Sequence, residues 1–167
     1  HLPSRGGANA SRSLQVALGT SRTLKSPPRW SQGRSWLRAL RFLLDTNVCV
    51  DFLNGRYPRV GKRLLSSTPG AVAVSSIAVA ELRYGAEKSS RPNENHGRID
   101  LMLEELQTLE FDGDAGAAYG QLRAALEARG TPIGPNDMLI AAQALAHDLV
   151  LVTADVAEFE RVDGLRL

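Results

Sequence analysis

Residues 135–155 read PNDMLIAAQALAHDLVLVTAD. From 137 to 147 the residues are apolar almost all round, the pattern of a helix packed inside a domain. Residues 149–152, LVLV, then form a continuous apolar run of strand length, as in a parallel sheet covered on both faces. A buried helix feeding directly into a buried strand is half of a parallel crossover unit, so the neighbouring segments should alternate in the same way.

They do. Phe42-Leu43-Leu44 reads as a buried strand, ended by Asp45-Thr46-Asn47 and followed by a helix to about Leu53. Pro58 opens a further helix to about Ser67. Residues 71–74, AVAV, are a second strand, and Ser75 or Ser76 caps a helix to about Lys88. A polar break over 89–97 precedes a helix over 98–108 and a third strand over 108–111. Residues 114–129 are amphipathic, with Ala115, Ala118, Tyr119, Leu122, Ala125, Leu126 and Arg129 on one face. The turn GTPIGPN at 130–136 leads into the opening segment. A short helix over 156–161 and a strand over 165–167 close the chain. Strands alternating with helices predict an α/β fold with parallel strands and right-handed crossovers.

The chain has 167 residues, which suits one domain with a full core. Hydrophobic residues make up 43% and charged residues 23%, so global disorder is excluded. No apolar run approaches the roughly 18 residues of a membrane span. A single cysteine, Cys49, excludes an intrachain disulfide and favours a reducing, cytoplasmic home. Residues 1–40 hold seven of the twenty Lys/Arg and none of the eighteen Asp/Glu, so residues 41–167 carry a net −5. The first 35 residues, rich in Ser, Gly, Pro and Arg, show no sustained period and read as an extension outside the fold. Their composition also suits a transit peptide or a basic nucleic-acid-binding arm. The chain opens on His1, and its methionines are Met102 and Met138.

Open parallel sheets place function beyond the carboxyl ends of their strands. Asp45 follows the first strand, Asp155 follows the strand at 149–152, and Asp137 opens the buried helix. Singly, each is an ordinary N-cap or a complement to the helix dipole. Glu81 is less ordinary. With Ile77, Ala80 and Tyr84 read as the inward stripe of its helix, it lies on an apolar face, where a carboxylate needs a cation or a raised pKa. Arg83 and Glu87 read as an i,i+4 pair on another face. Two carboxylates about 4 Å apart repel by roughly 4 kcal/mol at an effective dielectric near 20. Four together call for a counter-ion, and hard oxygen donors suit Mg²⁺ or Mn²⁺ better than Zn²⁺.

Other chemistries lack their signatures. There is no P-loop, no GxGxxG after a strand and no GxSxG. Cys49, between Val48 and Val50, reads as core. His96 and His147 have no ligand spacing. The residue two beyond Asp45 is Asn47 rather than a second Asp, which argues against an aspartate-nucleophile phosphatase.

FLLDTNVCVDFL at 42–53, SSIAVAELRYGAEKS at 75–89 and PIGPNDMLIAAQALAHDLVLVTAD at 132–155 resemble the PIN-domain ribonucleases, and among them the VapC-type toxins. VAEFERVDGLRL at 156–167 is similar to the end of such proteins. The resemblance covers 41–167 and none of 1–40, which implies a natural start near Leu40. It implies a three-layer α/β/α fold around a mostly parallel sheet of four to five strands. It also implies a metal-dependent endoribonuclease whose acidic quartet is Asp45, Glu81, Asp137 and Asp155. Asp45, Asp137 and Asp155 would hold Mg²⁺ or Mn²⁺, with Glu81 on the attacking water. Glu158 could share or take the fourth position, and Asn47 and Thr153 would support the site. The implied partners are an RNA substrate, a second copy of the chain and a VapB-type antitoxin, through which the pair would meet DNA. A phosphate-binding role for Arg56, Arg59, Lys62 and Arg63 competes with a solvated basic face. The alternative function is a PIN-like module that binds RNA or protein without cutting. Four retained acids count against that, since a pure RNA binder gains nothing from them.

Overall fold

The computed structural model describes residues 34–56 and 70–167. Within them, β1 (Phe42–Leu44), β2 (Val72–Ser75), β3 (Gln107–Leu109) and β4 (Val150–Val152) form one parallel sheet in the order β3-β2-β1-β4. Leu43 stands opposite Ala73 on one side and Leu151 on the other. The central strands are buried on both faces, with Leu43, Ala73 and Val74 at 0% exposure, so their short apolar runs need no alternation. Residues 165–167 do not form a fifth strand. They make a single parallel bridge between Arg166 and Val150.

Helices α1 (Thr46–Leu53), α2 (Ser76–Glu87), α3 (Pro92–Glu105), α4 (Gly113–Ala128), α5 (Pro135–Ala146) and α6 (Val156–Phe159) connect the strands. The helix expected from Pro58 to Ser67 lies outside the described residues. Asp45 caps α1, and Ser75 caps α2 by accepting from the amides of Ile77 and Ala78. Helix α5 is buried along Met138, Ile140, Ala141, Ala142, Gln143 and Ala144, as its all-round apolar sequence requires.

Several expectations are corrected. The inward stripe of α2 is Ala78, Leu82 and Ala86, while Ala80 is exposed and Tyr84 is 65% exposed. The Ser75 cap sets that phase, and the small alanines let the helix lie close on its neighbours. Helix α3 starts at Pro92 rather than 98. Its first turns are polar, and it meets α2 where Arg83 pairs with Asp100 (2.5 Å) and Glu87 with His96 (2.9 Å). Arg83 and Glu87 thus each reach across to α3 instead of pairing with one another. On α4 the buried residues are Ala115, Leu122 and Leu126. Ala125 is exposed, and Arg129 turns outward to Asp163 at 2.6 Å. The packed region also begins before residue 41. Leu40 is 5% exposed within the core, and Leu37, inside a 3₁₀ turn over Arg34–Ala39, packs against that core.

Candidate active site

The chain order reverses between β1 and β4. The crossovers from β1 lead to β2 and β3 on one side, and β4 returns to the other. The carboxyl ends of β1 and β4 therefore open into a crevice, and the acidic residues gather there.

Asp45 leaves β1 and is only 1% exposed. Its Oδ1 accepts from the amide of Thr46 at 2.6 Å and its Oδ2 accepts from the hydroxyl of Thr153 at 2.8 Å. Burial pushes its carboxyl above the ordinary range. The hydrogen bonds from Thr153 and Thr46 oppose that shift, and the charges of Glu81 and Asp155 add to it. Asp137, in the first turn of α5, is pushed up to about 6, first by burial and then by the charges of Asp45, Glu158, Glu81 and Asp155. Those interactions place all five carboxylates in one electrostatic neighbourhood.

Glu81 is off the buried stripe of α2, yet it still enters the site. Its Oε2 accepts from the hydroxyl of Thr46, and its Oε1 accepts from the amide side chain of Asn136 at 2.8 Å. Neither Thr46 nor Asn136 was singled out from the sequence. Asn136 sits beside Asp137, so a scan for short polar residues next to each acid would have flagged it. Asn47 is exposed and has no side-chain hydrogen bond among the described residues, whereas its neighbour Thr46 bonds Glu81.

Asp155 is exposed and caps α6. Its Oδ1 accepts from the amide of Glu158 at 3.3 Å, and its own amide donates to Thr153 Oγ1 at 3.0 Å. Glu158 is half-buried, and its Oε1 accepts from the amide of Gly134 at 2.8 Å.

Among the described residues, none of these five carboxylates has an Arg, Lys or His ion-pair partner. Also among them, no three His, Cys, Asp or Glu side chains stand as a ready-made ligand set. The donor chemistry nevertheless fits a hard divalent cation, because crowded carboxylate oxygens without a basic partner are what such an ion neutralises. Cys49 is fully buried and its thiol is pushed up by burial and by the charge of Asp45, so it is no nucleophile. His147 ends α5 and lies 3.3 Å from Asp112. Arg56 is exposed and 3.9 Å from Asp51. Arg59, Lys62 and Arg63 lie outside the described residues.

A groove of about 290 Å³ adjoins Thr46 and Glu81 between α1, α2 and α3. Val50, Leu53, Leu82 and Ile99 give it apolar walls, and Arg98 contributes a cation.

A family model described as PIN domain matches residues 42–165. The chain is 39% identical over 128 residues to the tRNA(fMet)-specific endonuclease VapC of Salmonella typhimurium, a match covering 77% of this chain and 96% of that protein. It is 39% identical over 127 residues to Ribonuclease VapC2 of Rickettsia felis, covering 75% and 95% respectively. Among solved structures, DNA-bound VapBC from Salmonella typhimurium superposes with a TM-score of 0.73 at 38% identity, covering 76% of this chain and 96% of that one. VapBC2 from Rickettsia felis, bound to a DNA fragment from its promoter, gives 0.70 at 37% identity, covering 77% and 97%.

Proposed function

The chain belongs to the PIN-domain family, in its VapC ribonuclease branch, and on that premise we propose how its acidic crevice cuts RNA. The chain is an endoribonuclease toxin of a toxin–antitoxin pair. The observation that carries the proposal is the gathering of Asp45, Glu81, Asp137, Asp155 and Glu158 where the sheet order reverses, without a basic partner among the described residues.

Asp45, Asp137 and Asp155 would hold Mg²⁺ or Mn²⁺. When bound, the ion lowers the pKa of water and neutralises charge on the phosphoryl oxygens. Glu81 orients the attacking water and takes its proton. Thr46 and Asn136 each occupy one of its carboxylate oxygens, which fixes the plane of the carboxylate and leaves its remaining lone pairs for that proton. Thr153 keeps the Asp45 carboxylate aimed into the crevice.

The name of the Salmonella relative makes initiator tRNA the first substrate to test. Unpaired loops are the segments to examine first, since their nucleotides can be splayed out into a crevice. A VapB-type antitoxin is the partner. We assign it the groove beside Glu81, where apolar side chains meet Val50, Leu53, Leu82 and Ile99 and a basic side chain reaches the acids.

Brief induction, followed by sequencing of new RNA ends, tests the reading. The native chain should yield discrete cuts that disappear with Asp45→Asn and on co-expression of the antitoxin. Identical cuts in the Asp45→Asn variant would contradict it.

A further inference from the structure

We propose that Glu158 is a positioning residue that fixes the Asp137 carboxylate by gripping the backbone of Gly134. The inference rests on the reading of Asp137 as a site acid and adds how that acid is held.

Gly134 is the N-cap of α5 and offers no side chain to cap it. Its carbonyl accepts the first helical bond, from the amide of Met138 at 2.9 Å, while its own amide points out of the helix. That amide is taken by Glu158 Oε1 at 2.8 Å, from a segment 24 residues away in the chain. Asp137 folds back over the same glycine. A Cβ added at Gly134 would lie 2.4 Å from Asp137 Oδ2 and 3.3 Å from its Cγ. The missing side chain of Gly134 is thus the space that the Asp137 carboxylate fills, and the position of that backbone bounds where the carboxylate can lie.

Glu158 is itself anchored. Its amide donates to Asp155 Oδ1, the Asp155 amide donates to Thr153 Oγ1, and the Thr153 hydroxyl donates to Asp45. The next residue, Phe159, is 1% exposed and pins α6 in the core. Two arginines bind the same segment to the turn before α5. Arg129 donates to the carbonyl of Arg161 at 2.7 Å, and Arg161 donates to that of Pro132 at 3.4 Å. One hydrogen-bonded path therefore runs from Asp45 at the end of β1, through α6, to the Gly134 cap of α5, and the Asp137 carboxylate lies against that cap. What the latch draws on is the hydrogen-bond acceptor of Glu158, separately from the charge it adds to the acidic cluster.

A glutamine keeps an Oε1 acceptor, whereas alanine removes it. In metal-free protein, Glu158→Ala should speed hydrogen exchange at the Gly134 amide by about tenfold or more, and Glu158→Gln should restore most of the protection. Calorimetric titration with Mn²⁺ should show affinity falling about tenfold or more in Glu158→Ala, with most of it recovered in Glu158→Gln. Gly134→Ala should lower Mn²⁺ affinity similarly, by displacing Asp137, and provides the test if Glu158→Ala does not fold. The latch is overturned if Glu158→Gln loses Mn²⁺ as completely as Glu158→Ala with Gly134 exchange unaltered, because Glu158 would then be acting through its charge. It is equally overturned if Glu158→Ala leaves exchange and affinity unchanged, or if a folded Gly134→Ala binds Mn²⁺ normally. The exchange experiment needs neither RNA nor turnover, so its result stands apart from whether the chain cuts RNA as proposed.

Discussion

Asp137 is held in the fold against its own ionisation. In the unfolded chain its carboxyl titrates near 3.8, and in the fold near 6, because burial and four neighbouring acids disfavour the ion. The folded state therefore holds that proton more tightly. The resulting stability is fully present below about pH 4 and is lost as the pH rises through about 6. Asp137→Asn should then stabilise metal-free protein at pH 8, by on the order of 1 kcal/mol once solvent screening is allowed for. The gain should vanish near pH 4, and activity should be lost throughout. Thermal melts in EDTA at the two pH values check this. At the same scale, Thr46→Val and Asn136→Ala each free one oxygen of Glu81. Each should lower kcat by about tenfold or more with little change in melting temperature, as single-turnover kinetics would show. Asp45 and Asp137 were legible from position alone, one ending a strand and the other opening a buried helix. Glu81 was legible as an acid out of place, although the face assigned to it was wrong. Its supports were not legible, because the Asn136 contact spans 55 residues and the Thr46 contact 35.

The elements meet at the site through a polar brace that no periodicity announces. Ser75 and Gln143 are both 0% exposed. The Ser75 hydroxyl donates to Gln143 Oε1 at 2.5 Å, and Gln143 Nε2 donates to the carbonyl of Leu109 at 2.9 Å. The ends of β2 and β3 are thus tied to the middle of α5, the helix that carries Asp137. Gln143→Leu would strand the Ser75 hydroxyl and the Leu109 carbonyl, costing about 2–4 kcal/mol in chemical denaturation. In the sequence, Gln143 is a lone polar residue in an apolar run. Nothing local to it distinguishes a surface position from a buried brace, since its partner lies 68 residues earlier. The start of α3 was missed for a related reason. Its first turns hold Asn93, Glu94, Asn95 and His96, which read as a break because they are polar, although His96 meets Glu87 on α2 and Asn95 donates to Ser89 in the preceding loop. The edge of the domain makes a further test. Leu40→Ala should cost about 2–4 kcal/mol if Leu40 is core, as its burial says. A loss below about 0.5 kcal/mol, the size of an ordinary surface substitution, would return it to the extension.

At the scale of the molecule, the parallel order follows from strands too short and too apolar to face water, joined by helices that cover both faces. The pairing order β3-β2-β1-β4 was not readable from the strands themselves, because their apolar runs are interchangeable. That order nevertheless decides function, since it sets the ends of β1 and β4 side by side and leaves the crevice between them. The central claim is that this crevice cuts RNA only with a divalent cation held by Asp45 and Asp137. The direct measurement is cleavage of end-labelled tRNA by the purified chain in Mg²⁺, in Mn²⁺ and in EDTA, beside Asp45→Asn and Asp137→Asn. Cutting is expected with either metal, none in EDTA, with recovery when metal is returned and background rates for both variants. Undiminished cutting in EDTA, or by either variant, would contradict it.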